Sequence, residues 1–586
     1  MPTSNSHPGE EESRPLLHSP TIAREHLYAP RNKGVLRRVA AAGLALVLIA
    51  GVATSGFFLG RQVHSGEDPI DATYVNWKPC QEKFYCGKLR VPLDHKDPEG
   101  EQITLALIKL PASNKPSLGS LFVNPGGPGG SGVEFVQRAG DDLHKIYDGR
   151  YDLVGFDPRG IGQSNPVRCF PDANTHRLFE LPSQHIDFDV PGSYEADFAR
   201  AQVLAGLCGK NAARILAHMT TADVARDMDL MRKAEKQEYL HYWGFSYGTI
   251  LGQTYANMFP HNIGQFIIDG VASALSWAEG HDFGFIPNTT NAEWVTHLYE
   301  VYDKFAASCE AAGPSRCALA RDSEKHSVSK RLKNLRANLK LHPLITTDAE
   351  VAGVVTHETF DAASFRLVYI PHAWPKYALA FAAAEKGNGT LLQNLVVKKP
   401  EELCPRFDSP DIESTLGVYC SDATPKPANL TYVREQAEVA VRKYPFVGQM
   451  MAGVINACAV WPKVGESRYT GPWTAKTNNK ILILGNTFDP VTPIESAELA
   501  ASLLPNSVLV RHHGYGHCSN AQPSKCTNEV IRRYLVDKKA PKEAVTECYA
   551  DLEPFMEGEV NALSLDAGEA RESVADVLAD AWKPFF

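Results

Sequence analysis

Apolar residues in this chain come in short runs separated by polar, Gly- and Pro-rich stretches. Ile103 to Leu110, Leu121 to Asn124, Tyr151 to Asp157, Tyr239 to Trp243, Phe266 to Asp269, Ile481 to Gly485 and Val508 to Arg511 read as strands. Several are continuously apolar, the pattern of parallel strands covered on both faces. Helix-period segments lie between them. From Thr220 to Ala234, for instance, Val224, Met228 and Met231 share one face, and Thr220 with Asp223 has the form of a capping box. Strands alternating with helices predict an α/β fold, a mostly parallel central sheet with helices on both sides. The alternation lapses from about Leu275 to Lys476, where helical patterns mix aromatic and charged residues. Residues 276–476 are therefore expected to form a cap or lid domain inserted between two late strands. The core would comprise 74–275 and 477–549, with 550–586 a peripheral amphipathic segment.

The N-terminal pattern is different again. Residues 1–38 are poor in apolar residues at first and then basic, and read as a disordered tail. Val39 to Gly60 is uncharged and apolar, 22 residues that can span a bilayer, and residues 61–73 follow as a stalk. Arg31, Lys33, Arg37 and Arg38 precede the run, whereas Glu67 and Asp68 follow it. The positive-inside rule then makes the chain a single-pass type II membrane protein, its tail cytosolic and its bulk lumenal or extracellular. The competing reading is a signal peptide cut near Ala53. Glu12, Leu16 and Leu17 fit an acidic dileucine signal, which would add vacuolar or endosomal sorting.

Composition adds three constraints. A net charge of -9 argues against a nucleic-acid partner. Twelve cysteines without a C-x-x-C pair fit disulfides in an oxidising compartment rather than zinc or dithiol redox chemistry. Three glycosylation sequons, at Asn288, Asn388 and Asn429, all lie beyond the apolar run, as the orientation requires. No metal motif or cofactor motif is present, and none is expected to be needed.

The candidate chemistry centres on Gly244-Phe245-Ser246-Tyr247-Gly248, a G-x-S-x-G pattern at a strand-to-helix junction. A serine hydroxyl needs a base, and the base needs an orienting acid. In an α/β sheet these partners should follow in the order serine, acid, histidine, each just past a strand. "ILILG" leads into "NTFDPVTP" with Asp489, and "SVLVR" leads into "HHGYGHCSN" with His517. His512 and His513 compete with His517 but directly follow the strand and suit its structural end. Asp157 precedes the serine and is the weaker acid. Asp489 has a plain alternative as a turn-forming residue before Pro490. "SLFVN" runs into "PGGPGGSG", Pro125 to Gly132, where backbone N–H groups can face a developing oxyanion, with the Tyr247 N–H as second donor. A surface loop or a phosphate cradle is the alternative, although the Lys of a P-loop is missing.

Taken with "CGKLRVPLDHKDP", "NPGGPGGSG", "YDLVGFDPRGIGQS", "GFSYGTILG", "GNTFDPVTP" and "GYGHCS", in that order, the chain resembles the tripeptidyl-aminopeptidase branch of the prolyl-aminopeptidase-like α/β hydrolases. The resemblance implies the α/β-hydrolase fold, with Ser246 as nucleophile, Asp489 as acid and His517 as base. It places Gly127 with Tyr247 in the oxyanion hole, and treats Asp157, Arg159 and Ser164 as a structural marker loop. Prolyl aminopeptidases open the glycine loop with His, whereas Pro125 stands here, as in the tripeptidyl branch. Short separations favour disulfides Cys80–Cys86, Cys309–Cys317 and Cys518–Cys526, the last pinning the His517 loop. Cys169–Cys208 and Cys420–Cys458 would leave Cys404 and Cys548.

The expected activity is a serine aminopeptidase that releases short peptides from a free N-terminus, with Glu279 or Asp282 as carboxylates for the substrate amine. A carboxylesterase acting on a lipid or secondary-metabolite ester would use the same triad. A non-catalytic adhesion module on the same fold is the third reading.

Overall fold

The computed structural model describes residues 74–180, 186–279, 295–321, 326–397, 412–425, 427–462, 467–555 and 573–580. The tail, the apolar run Val39 to Gly60, the stalk, Asn288, Asp282 and Cys404 lie outside the described residues. Among the described residues, no helix is long and apolar enough to cross a membrane.

The strands run in chain order as β1 (Lys78–Gln81), β2 (Phe84–Pro92), β3 (Gln102–Leu110), β4 (Ser120–Asn124), β5 (Asp152–Phe156), β6 (Leu240–Phe245), β7 (Ile263–Asp269), β8 (Leu344–Thr346), β9 (Gly353–Val355), β10 (Ile481–Phe488), β11 (Ser507–Tyr515) and β12 (Val545–Tyr549). Ten of them form one sheet in the order β1-β2-β3-β5-β4-β6-β7-β10-β11-β12, and β8 pairs with β9 as a separate hairpin. The β1–β2, β2–β3 and β3–β5 pairs are antiparallel. From β5 onward every pairing is parallel. The carboxyl ends of β4, β6, β7, β10 and β11 therefore open on one edge, where loops can converge.

Apart from the edge strand β12, the strands of the parallel region bury both faces. Ile481 and Ile483 join one apolar cluster with Phe266, Ile268 and Tyr242, whereas Leu482 and Leu484 join another with Ile267, Trp243, Val508 and Val510. Alternate residues thus feed separate layers, as a two-residue period requires. The helix Thr221–Ala234 starts where the sequence pattern puts it. The Thr220 hydroxyl accepts from the Asp223 N–H and donates to the Asp223 carboxylate (2.7 Å), so its cap is not the reciprocal box.

Between β7 and β10 the described chain is helical apart from the β8–β9 hairpin. A further helical piece between β5 and β6 packs onto it: the Tyr194 hydroxyl bonds Asn456 Oδ1 at 2.5 Å, and Asn456 Nδ2 donates to Asp197 at 2.8 Å. Near the C-terminus, Val574, Ala575, Val577 and Leu578 of Val574–Asp580 are buried.

Among the described residues five disulfides are present: Cys80–Cys86, Cys169–Cys208, Cys309–Cys317, Cys420–Cys458 and Cys526–Cys548. The expected Cys518–Cys526 pair does not form, and Cys518 is a buried free thiol. The reason is directional. Cys518 turns inward, its sulfur 3.5 Å from the Asp269 carbonyl, while Cys526 on helix Lys525–Leu535 meets Cys548 on β12.

Candidate active site

Ser246 ends β6 and begins the helix Tyr247–Met258 with φ 55° and ψ -125°. A left-handed φ is costly for a non-glycine residue and persists only where its surroundings hold it. Here the Ser246 N–H donates to the Asp269 carbonyl at 3.0 Å, and its carbonyl accepts from Thr249 N and Oγ1 at 2.8 and 2.6 Å. Gly248 shows why the flank is small, since a Cβ there would lie 2.7 Å from the Asn124 carbonyl.

Asp489 follows β10 and His517 follows β11, and the structure brings them together. His517 Nδ1 lies 3.0 and 3.1 Å from the two Asp489 oxygens. Asp489 also accepts from the N–H groups of Val491 and Thr492 (both 2.9 Å), the Thr492 hydroxyl (2.9 Å) and the Cys518 N–H (3.0 Å). Burial pushes this carboxyl's pKa up, but the His517 charge and hydrogen bond and the backbone donors outweigh it, leaving the pKa below the ordinary value. An ionised Asp489 fixes the proton on Nδ1 and leaves Nε2 as an acceptor.

Ser246 and His517 approach through a shared neighbour. The Asp269 carbonyl that accepts the Ser246 N–H also faces the Cys518 sulfur, one residue past His517. Ser246 Oγ and His517 Nε2 are both buried, and neither has a hydrogen-bond partner among the described residues. The other histidines are placed elsewhere. His512 is buried with Nδ1 2.9 Å from the Thr527 hydroxyl, and burial lowers its pKa to about 4. His513 pairs with Glu547 at 2.7 Å near the surface.

The glycine loop lies against the elbow. A Cβ on Gly126 would sit 2.9 Å from the Tyr247 nitrogen. The Gly126 N–H is committed to Asn124 Oδ1 at 3.0 Å, whereas no described residue accepts from the Gly127 N–H. Tyr247 opens its helix, where N–H groups lack intrahelical acceptors. Asp157 serves this loop rather than a histidine: it accepts from the Ser131 hydroxyl (2.6 Å), Val133 N (3.1 Å) and Gln163 N (2.9 Å). Burial raises its pKa to about 6. Arg159 forms a buried bidentate pair with Asp227, both contacts 2.7 Å.

The helical segments supply residues that the sequence did not single out. The Tyr369 carbonyl accepts the His517 N–H at 3.2 Å, and its ring meets the imidazole edge-on at 5.1 Å. Thr415 donates to the Pro128 carbonyl at 3.0 Å. Asp422, its pKa raised by burial to about 6, accepts from Thr221 N (2.9 Å) and Trp277 Nε1 (2.8 Å). Glu279 is exposed at the end of helix Ala274–Glu279, two residues past Asp422's partner Trp277, and its carbonyl accepts from Thr424 at 3.0 Å. Tyr369, Thr415 and Asp422 carry no recognisable motif, and only tertiary contact reveals them.

A parallel sheet whose strand ends carry a serine elbow, an acid and a histidine in that order defines an α/β hydrolase. Residues 119–312 match the family described as alpha/beta hydrolase fold, and residues 444–548 match that described as TAP-like protein. The chain is 28% identical over 527 residues to "Serine protease Hip1" of Mycobacterium tuberculosis, covering 86% of this chain and 95% of that protein. It is also 28% identical over 502 residues to "Tripeptidyl aminopeptidase" of Streptomyces lividans, covering 80% and 86%. "Carboxylesterase B" of Mycobacterium tuberculosis matches at 27% over 495 residues, covering 81% and 90%. In sequence the chain is similar to tripeptidyl-aminopeptidase-like serine hydrolases.

Proposed function

We propose that the protein is a serine exopeptidase that releases short peptides, of about tripeptide length, from substrates with a free N-terminus. Ser246 Oγ attacks the scissile carbonyl carbon as its proton passes to His517 Nε2, with Asp489 holding the imidazolium. The tetrahedral oxyanion accepts from the Gly127 and Tyr247 N–H groups. Collapse breaks the C–N bond, and the leaving amine takes the proton from Nε2. Water then attacks the acyl-enzyme, giving a proton to Nε2 that returns to Ser246. The observation that carries the reading is the bonded Asp489–His517 pair, anchored at the same residue as the strained Ser246. The relatives named as a tripeptidyl aminopeptidase and a serine protease favour amides over esters.

The proposed setting is an oxidising lumen or the cell exterior, reached through a membrane anchor at Val39 to Gly60. Five disulfides support an oxidising environment. Asn388 and Asn429 are exposed and open to glycosylation. Asn429 caps its helix through Oδ1, which accepts from Tyr432 N at 3.2 Å and leaves the glycan-bearing Nδ2 free of that bond. Glu279 at the rim stands as the proposed contact for the substrate amine, together with Asp282.

The test uses purified protein with a fluorophosphonate probe, Ala-Ala-Pro-type amides and short acyl esters. Labelling that disappears in Ser246→Ala, with amide turnover abolished by blocking the N-terminus, is the expected result. Ester turnover alone would transfer the protein to the carboxylesterases. Well-folded protein that never labels would leave the adhesion reading.

A further inference from the structure

One buried acid beside the site has no part in the proposed chemistry. Asp269 ends β7, fully buried, and touches both halves of the site. Its main-chain oxygen accepts the Ser246 N–H at 3.0 Å. Its side chain takes two donors from the residue two past His517: Ser519 N to Oδ1 at 2.8 Å, and Ser519 Oγ to Oδ2 at 2.6 Å. The chain then turns at Gly270, φ 64°, where a Cβ would lie 2.4 Å from the Cys518 sulfur. The contact between strand end and histidine loop is therefore tight on both sides of the carboxylate.

The triad does not need this group, because His517 Nδ1 is already bonded to Asp489. No cation pairs with Asp269 among the described residues. Burying a carboxyl this way costs stability unless its donors offset the loss of water. The groups that face it are Asp489 from the end of β10, and His517 and Cys518 from the loop after β11. Tyr369, from helix His357–Tyr369, faces the same Asp489 and Cys518.

We infer that Asp269 is a positioning residue that sets the distance between nucleophile and base, its carbonyl fixing the Ser246 backbone and its carboxylate fixing the loop that carries His517. The inference rests on the serine-hydrolase reading. Nucleophile–base distance has to be held within about half an ångström for proton transfer, and a single residue bonded to both loops does this without intervening side chains. Burial pushes the Asp269 carboxyl up to about 6, so at neutral pH it also places a negative charge near the imidazole.

The experiment compares wild type, Asp269→Asn, Asp269→Ala and Ser519→Ala, each normalised to sites titrated with a fluorophosphonate. Asp269→Asn can keep both Ser519 bonds, with the hydroxyl rotated to accept from the amide, but lacks the charge. Its kcat per titrated site should stay within about threefold of wild type, because both bonds of the strut are kept. Asp269→Ala loses the strut, and kcat per titrated site should fall about ten- to a hundredfold with KM within about twofold. Ser519→Ala keeps the backbone donor and should lie between. A group that only stabilises the fold would lower Tm without changing kcat per titrated site. Wild-type kcat in Asp269→Ala overturns the inference; if the alanine variant does not fold, Ser519→Ala decides, and wild-type kcat there overturns it. Failure of wild type to label would remove the serine-hydrolase reading itself. Labelling lost only in Ser246→Ala, with wild-type kcat in Asp269→Ala and Ser519→Ala, removes this inference alone.

Discussion

Gly126→Ala separates placement of the oxyanion loop from backbone strain. Gly126 has φ 92°, and a Cβ there would lie 2.5 Å from the Phe245 carbonyl, 2.9 Å from Ser246 Cβ and 2.9 Å from the Tyr247 nitrogen. Ordinary contact begins at 3.4 Å, so the loop must retreat from the elbow by about 0.9 Å. The elbow cannot give way easily. Its strand pairs with β4 and β7, and the Ser246 N–H is tied to Asp269. Oxyanion donors act over about 2.7–3.1 Å, so this retreat takes the Gly127 N–H out of range. The expected loss is about 10²–10³ in kcat, with KM changed less than about threefold. The left-handed φ should also cost about 1–2 kcal/mol of stability. Gly192→Ala is the control: φ is 83° and nothing lies within 4 Å of its Cβ, so it carries the strain without the clash. Its Tm should fall while kcat stays at the wild-type value. The assay is steady-state hydrolysis of a free-N-terminus tripeptidyl amide per titrated site, with thermal melts in parallel. Wild-type turnover in Gly126→Ala, or an equal kcat loss in Gly192→Ala, would refute the argument.

Asp489→Asn should reduce kcat about 10³–10⁴-fold while leaving the fluorophosphonate site intact, because the imidazole loses the partner that fixes its tautomer; rapid-quench labelling and steady-state turnover measure both. Iodoacetamide added to denatured, unreduced protein should modify Cys518 but neither Cys526 nor Cys548, and peptide mass spectrometry would expose a Cys518–Cys526 link. Cys526→Ser should cost about 2–4 kcal/mol, read as a lowered Tm. For pH, burial depresses His512 to about 4 in the folded protein against 6.5 as its ordinary value. The unfolded chain therefore takes up the proton first, and the stability tied to His512 is present above 6.5 and lost as pH falls towards 4. Between pH 7.5 and 5.5 that loss is about 1.4 kcal/mol, so His512→Gln should flatten the acid side of the Tm profile by a corresponding amount.

Why some of the site could be read from the sequence and some could not follows from how each residue is placed. Ser246, Asp489 and His517 each stand just beyond an apolar run, so the runs that mark β6, β10 and β11 also locate the loops. β12 escaped the same reading because it is an edge strand whose mostly exposed residues, Glu547 among them, look like a loop. The Cys518–Cys526 pairing was inferred from separation alone, and separation carries no direction: one residue past His517, the chain points its thiol into the core. Asp269 closes a run correctly read as a strand, yet nothing in "FIID" says that its carboxylate reaches 250 residues forward to Ser519. Thr415, Tyr369 and Asp422 lie still further from any motif.

This difference has a functional consequence. The residues legible in the sequence are those that the proposed reaction needs in any substrate context, and they belong to strand ends that the sheet holds rigidly. The residues that contact them from the helical segments arrive through tertiary packing alone. Thr415 meets the loop that carries Gly127, Tyr369 meets His517, and Asp422 reaches Tyr247 through Thr221, whose hydroxyl lies 2.6 Å from the tyrosine oxygen. The oxyanion loop, the base and the elbow thus each meet a residue outside the sheet. Substitutions such as Thr415→Ala and Tyr369→Leu should therefore leave fluorophosphonate labelling intact while changing the ratio of kcat/KM between tripeptidyl and dipeptidyl amides, because the small probe needs only the strand-end residues. Equal loss on every substrate and on the probe would mean that these helices hold the machinery together and take no part in choosing what enters it.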